Sequence, residues 1–150
     1  MIKASFPKGL PHFKINNKTV AQILNDMADA AVNQIFNDTQ AGRDIDGNNF
    51  QRLRASTARA KRRKGQTVKP LVATGMMSKV FRSEKASATS LVSEVDVSQH
   101  RKEIAEFHIE GEGNLPKRVF FGVGDTLKPK LQKIINLRIE KIVKTMWKKK

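Results

Sequence analysis

From Thr19 to about Asn37, apolar residues return at three- and four-residue steps: Val20, Ile23, Leu24, Met27, Ala31 and Ile35. That spacing lines one face of an α-helix and predicts a helix over 19–37, with Thr19 as its N-cap. Asp26, Asp29, Asn33 and Asp38 fall mostly on the other side and predict a solvated face. A second stripe, Leu127, Leu131, Ile134, Ile135, Ile139, Ile142, Val143 and Met146, predicts an amphipathic helix from about Leu127 to Trp147. Lys128, Lys133, Lys141 and Lys144 lie off that stripe. Thr126 or Asp125 can cap the helix, and Pro129 suits a first turn whose amides have no internal acceptor.

Between the two helices the period shortens. Thr89–Val97 alternates loosely, with Leu91, Val95 and Val97 on one face and Glu94 and Asp96 on the other. Ile104–Ile109 sets Ala105, Phe107 and Ile109 on one face, and Val119–Val123 is a third apolar run. These segments predict strands, paired antiparallel because the 98–103 connection is too short for a helical crossover. Met76–Phe81 reads as a short helix or as the start of a strand. Residues 41–75 have no long apolar stripe; Ser56–Arg63 is helix-forming with little to bury, which predicts a short solvated helix stopped near Gly65. Pro7, Gly9 and Pro11 make residues 1–18 an irregular arm, with a short strand at Phe13–Ile15. The expected fold class is α+β: one domain over 19–150, with a small antiparallel sheet of about three or four strands packed against two long helices. Within it, 41–75 is an extended basic loop and short-helix segment.

Charge changes this picture most. The 150 residues, enough for one domain with a real core, carry 29 Lys and Arg against 14 Asp and Glu, a formal net charge of +15. Thirteen cations face five acids in residues 1–75, and sixteen face nine in 76–150, so the excess is spread along the chain. Such a field attracts nucleic acid, acidic proteins or anionic surfaces. There is no cysteine, which excludes a disulfide framework, a zinc ribbon and a thiol nucleophile. No segment approaches the roughly 20 apolar residues of a membrane span, and no secretory leader is evident, so a soluble protein without membrane contact is expected.

Candidate chemistry is sparse. His12, His100 and His108 have no ligand spacing, and the default for His108 is a structural role opposite an apolar strand face. Gly111-Glu-Gly113 and Gly122-Val-Gly124 lack the Lys and the length of a phosphate-binding loop. No Ser lies in a nucleophile elbow, and Glu110 and Glu112 read as solvated turn residues. Neither catalysis, cofactor nor metal is expected. The basic run Arg59, Lys61, Arg62, Arg63 and Lys64 has three readings: a solvated face, contact with DNA phosphates, or docking onto an acidic neighbour. Arg118 of Pro116-Lys-Arg suits either a subunit contact or an ion pair within its own subunit. Phe120 and Phe121 suit core or interface, and Trp147 either closes the core or packs on a neighbouring copy.

Two motif blocks carry a resemblance. The first is Asp46-Gly47-x-x-Phe50, then Thr57 and Lys61 on the short basic helix, then Pro70-Leu71-x-x-Thr74-Gly75. The second is His108-x-x-Gly111, then Pro116-x-Arg118-x-Phe120-x-Gly122. In series between two amphipathic helices, over roughly residues 19–147, they resemble the virion morphogenesis or tail-completion family of Mu-like and related tailed phages. The family commonly has a second Pro where Val119 stands, and often a Trp near Phe50. The resemblance implies a non-enzymatic virion protein at the head–tail junction or tail end, made in the host cytoplasm and closing into a ring, with six copies the expectation. Implied partners are further copies of the chain, neighbouring neck, connector and tail proteins, and double-stranded DNA passing non-specifically through the lumen. Leu71, Thr74, Arg118, Phe120 and Trp147 are then candidate subunit-interface residues. The rival from composition alone is a free nucleic-acid-binding protein of nucleoid or ribosome-associated type.

Overall fold

The computed structural model describes residues 15–72, 80–97 and 102–147. Its elements in order are α1 (Asn17–Ala41), α2 (Ala55–Arg63), β1 (Val80–Glu84), β2 (Glu94–Val97), α3 (Lys102–Glu110) and α4 (Lys128–Trp147). The predicted short strand at Phe13–Ile15 and the motif residues Thr74 and Gly75 fall wholly or largely outside the described residues.

The expected sheet of three or four strands is overturned. The described residues are mostly helical, and their only sheet is the antiparallel pair β1–β2, with Val80 opposite Val97 and an irregularity between Arg82 and Glu84. Ile104–Ile109, expected as a strand, lies in α3. The reason is visible in the burial: Ala105 is buried and His108 and Ile109 are half-buried, an i, i+3, i+4 face, while Phe107 is exposed. Gly111 ends this helix in a left-handed conformation (φ 76°), the conformation a C-terminal cap needs; its N–H and that of Glu112 both bond to the Phe107 carbonyl. Val119–Val123 forms no strand either; its Val119 carbonyl accepts from the N–H of Ile45 at 3.0 Å. Only Glu94–Val97 of the expected strand at 89–97 pairs, because residues 85–93 form the turn that returns from β1.

The helices of the sequence reading are present, with shifted ends. α1 begins two residues earlier than expected: Asn16, not Thr19, is the cap, its side-chain oxygen accepting from the Thr19 N–H at 2.8 Å. α1 ends at Gly42 (φ 80°). The short basic helix α2 buries no residue, as its composition predicts.

α1 and α4 run antiparallel along one line of contacts. Thr126 bonds to Asp38, Lys130 to Gln34, and Arg138 to Asp26 (Nε to Oδ2, 2.8 Å). Each pair of residue numbers sums to the same value, so the two helices keep register over three turns. On another side α1 clamps the ribbon's turn: the Asn25 amide donates to the Ala86 carbonyl at 2.9 Å and accepts the Ala86 N–H at 3.0 Å. The small buried residues Ala21 and Ala28 share a row with Ile35 at seven-residue steps, letting neighbours approach closely. The core itself joins Ile35, Phe50, Val97, Ala105 and Phe120, with Leu71, Val95 and Ile109 packed against it. Phe120 is 1% exposed, a burial that stabilises by roughly 2–3 kcal/mol.

The turn at 42–50 ties these layers together. Asp44 accepts the N–H groups of Asp46 and Asn48 at 3.0 and 2.8 Å, and Gly47 takes φ 89°. Asp46 then accepts the Asp125 N–H at 3.0 Å. Gly124 lies so close that a Cβ there would sit 2.2 Å from the Ile45 carbonyl oxygen. Gly124→Ala is therefore expected to lower stability by about 3 kcal/mol through overpacking. Gly113→Ala, where a Cβ meets nothing within 4 Å but φ is 61°, should cost about 1 kcal/mol. Chemical denaturation of both variants checks the order.

Candidate functional site

α2 carries the basic run, and its helical geometry splits that run between two faces. Ser56, Arg59, Arg62 and Arg63 line a shared outward surface, and Lys64 is exposed at the helix end. Thr57 and Lys61, four residues apart, share the opposite face and look into a cleft of about 710 Å³. Lys61, grouped with its neighbours in the sequence reading, is thus set apart from them. Its ammonium donates to the carbonyls of Lys69 and Val72, each at 2.6 Å. Those carbonyls are presented by a turn in which Leu71 takes φ 58°, a left-handed conformation costing a non-glycine residue about 1–2 kcal/mol. Leu71 also packs on the core, which holds it there.

The far wall of the cleft is Arg118 and His108. Their backbones are bonded directly, the Arg118 N–H to the His108 carbonyl at 2.7 Å. Arg118 is 4% exposed and, among the described residues, its guanidinium makes one long hydrogen bond, to the Gln51 carbonyl at 3.4 Å. Its Nε and the Nδ1 of His108 are buried without a partner among the described residues. The carboxylate partner that one reading of Arg118 required is absent from the described lining, where Arg52 and Arg54 add two more cations and no acid appears. Burial, and then the field of Arg118, lowers the pKa of both Lys61 and His108. Burial also lowers that of Arg118 itself.

The remaining candidates scatter. Phe120 fills the subunit's own core, Trp147 is 72% exposed at the end of α4, and Thr74 lies outside the described residues. No family model, no curated protein and no solved structure matches this chain. What the fold does bring together is Thr57, Lys61 and Leu71 from the first motif block with His108, Pro116 and Arg118 from the second. His108, expected opposite the apolar face of a strand, instead lies on α3 and lines the cleft, and Arg52 and Arg54 join it there. The helical spacing Ala105–His108–Ile109 was the signal that would have turned His108 inward.

α4 adds a second feature. None of its residues is fully buried. Ile135, Ile139, Val143 and Trp147 stand at successive four-residue steps; Ile139 is 45% and Trp147 72% exposed, while Ile135 and Val143 are half-buried. Among the described residues no helix is long and apolar enough to cross a membrane.

The lowered pKa of His108 sets a sign for pH dependence. The unfolded chain, with the ordinary value of 6.5, takes up the proton first. The contribution of His108 to stability is therefore constant above that value and falls as the pH drops through it. Unfolding midpoints between about pH 8 and 5 should decline more steeply for the native chain than for His108→Gln. Parallel profiles would remove the buried neutral imidazole from the account.

Proposed function

We propose that the chain is a non-enzymatic structural protein of a tailed-phage virion, a tail-completion or head–tail junction subunit that closes into a ring around the DNA path. The observation that carries this reading is the meeting of the two motif blocks around one cleft, although residues 76–107 separate them in sequence.

Two surfaces suit the role. Arg59, Arg62 and Arg63 present guanidinium groups on the outer face of α2, where DNA phosphates could be met without base recognition. The apolar row Ile135, Ile139, Val143 and Trp147 suits a second copy. A head-to-tail contact of this kind, made by different patches on the two partners, generates a ring when the rotation closes.

Electron microscopy of the purified full chain, with light scattering, tests the reading. Closed rings are expected, and Ile139→Asp combined with Trp147→Asp should give folded monomers. Because both residues are exposed, the double variant should lose no more than about 1 kcal/mol of stability. A native chain that stays monomeric and binds duplex DNA tightly, with a salt slope of several phosphates, would instead establish a free nucleic-acid-binding protein.

A further inference from the structure

Lys61 of α2, His108 of α3 and Arg118 of the 116–120 segment line one cleft, and no acidic side chain faces them from the described lining. An isolated buried charge costs several kcal/mol unless it is paired and hydrogen-bonded. Arg118 is nine-tenths buried, yet four of its five donors lack a hydrogen bond among the described residues and Nε is sealed from solvent. Lys61 has committed two of its three donors to carbonyls, which leaves the third. Thr57 adds a hydroxyl on the same helix face. Arg52 and Arg54 bring two more positive charges to the lining.

We propose that this cleft is a binding site for one phosphate group. The donor set decides the class. A guanidinium fork from the 116–120 segment and an ammonium and a hydroxyl from α2 line one cleft, which suits an anion with several acceptor oxygens. The combined charge of Lys61, Arg118, Arg52 and Arg54 exceeds what one carboxylate can neutralise. The bound group supplies the countercharge that the fold leaves out, and the Leu71 turn, through the Lys69 and Val72 carbonyls, fixes the Lys61 ammonium in the cleft lining. This site is separate from the outward arginines of α2, and it does not depend on whether the chain forms a ring. The phosphate can arrive as the free ion or as an ester at the end of a nucleic acid strand; both present the same oxygens.

The test is a set of thermal-unfolding titrations of the full chain at constant ionic strength, with inorganic phosphate, acetate, or a short duplex carrying a 5′-phosphate. Phosphate is expected to raise the midpoint saturably. Lys61→Met should weaken the apparent affinity by about tenfold or more, the loss of one charged hydrogen bond. Arg118→Met should abolish the response while leaving a folded protein, since it removes an uncompensated buried charge. Lys144→Gln, on the exposed face of α4, should respond like the native chain. If Arg118→Met fails to fold, the Lys61→Met titration decides alone. A saturable response to the phosphorylated duplex, lost when its terminal phosphate is removed, identifies the ester as the source; a response to inorganic phosphate only identifies the free ion. The proposal is overturned if phosphate gives no saturable shift, if the shift survives Lys61→Met unchanged, or if acetate matches phosphate.

Discussion

The carboxylate of Asp38 sits near the end of α1 with 5% of its side chain exposed, and three side chains are arranged to satisfy it. Arg43 of the following turn pairs with it at 2.8 Å, the Thr126 hydroxyl reaches it at 3.0 Å, and Gln34, itself bonded to Lys130, donates from one turn back. A carboxylate taken out of water without such partners would cost several kcal/mol. Satisfying Asp38 therefore imposes geometry: α4 must start beside the end of α1, and the 42–50 turn must fold back over both. The same Thr126 hydroxyl shares its one proton with the Ile45 carbonyl at 2.8 Å, and the Ile45 N–H donates to the Val119 carbonyl. Through that bond the node holds the extended segment that carries Arg118 and Phe120.

The cleft is built in the opposite manner. Asp38 is a buried anion matched on every side, whereas Arg118 is a buried cation given one long bond and placed near another cation. Both cannot be accounts of stability. The first organises the scaffold, and the second holds an electrostatic imbalance that an external group can relieve. A chain of net charge +15 also carries exposed cations on α2 and α4, where solvent screens them. Arg118 is 4% exposed and less screened, which is why one residue there counts for more than the exposed run of arginines.

The two long helices were legible because a stripe sustained over five or more turns has no competing period. α3 was not: in nine residues, Ala105-Phe107-Ile109 fits an alternating strand as well as Ala105-His108-Ile109 fits a helix face. Once Ile104–Ile109 is helical, the sheet shrinks to one pair, and the expected α+β layer goes with it. The importance of Asp38 was hidden for a different reason. An acid on the polar side of a helix reads as solvated, and only tertiary partners such as Thr126, far along the chain, reveal that it is buried. Similarly, Lys61 looked like one cation in a run; the helical spacing to Thr57 separates it, but the cleft it faces is made by residues 47 to 57 positions away. The motif residues themselves were visible, while their convergence is a property of the fold alone.

Hydrogen exchange on an Asp38→Asn variant addresses most directly whether one buried carboxylate holds scaffold and cleft together. The replacement keeps the shape but places an amide donor against Gln34 and Arg43, which already donate there. If the node organises the molecule, peptides covering 42–50 and 116–128 should lose protection together, by about tenfold or more, while the β1–β2 ribbon keeps its own. Faster exchange confined to the last turn of α1, with 116–128 unchanged, would contradict it.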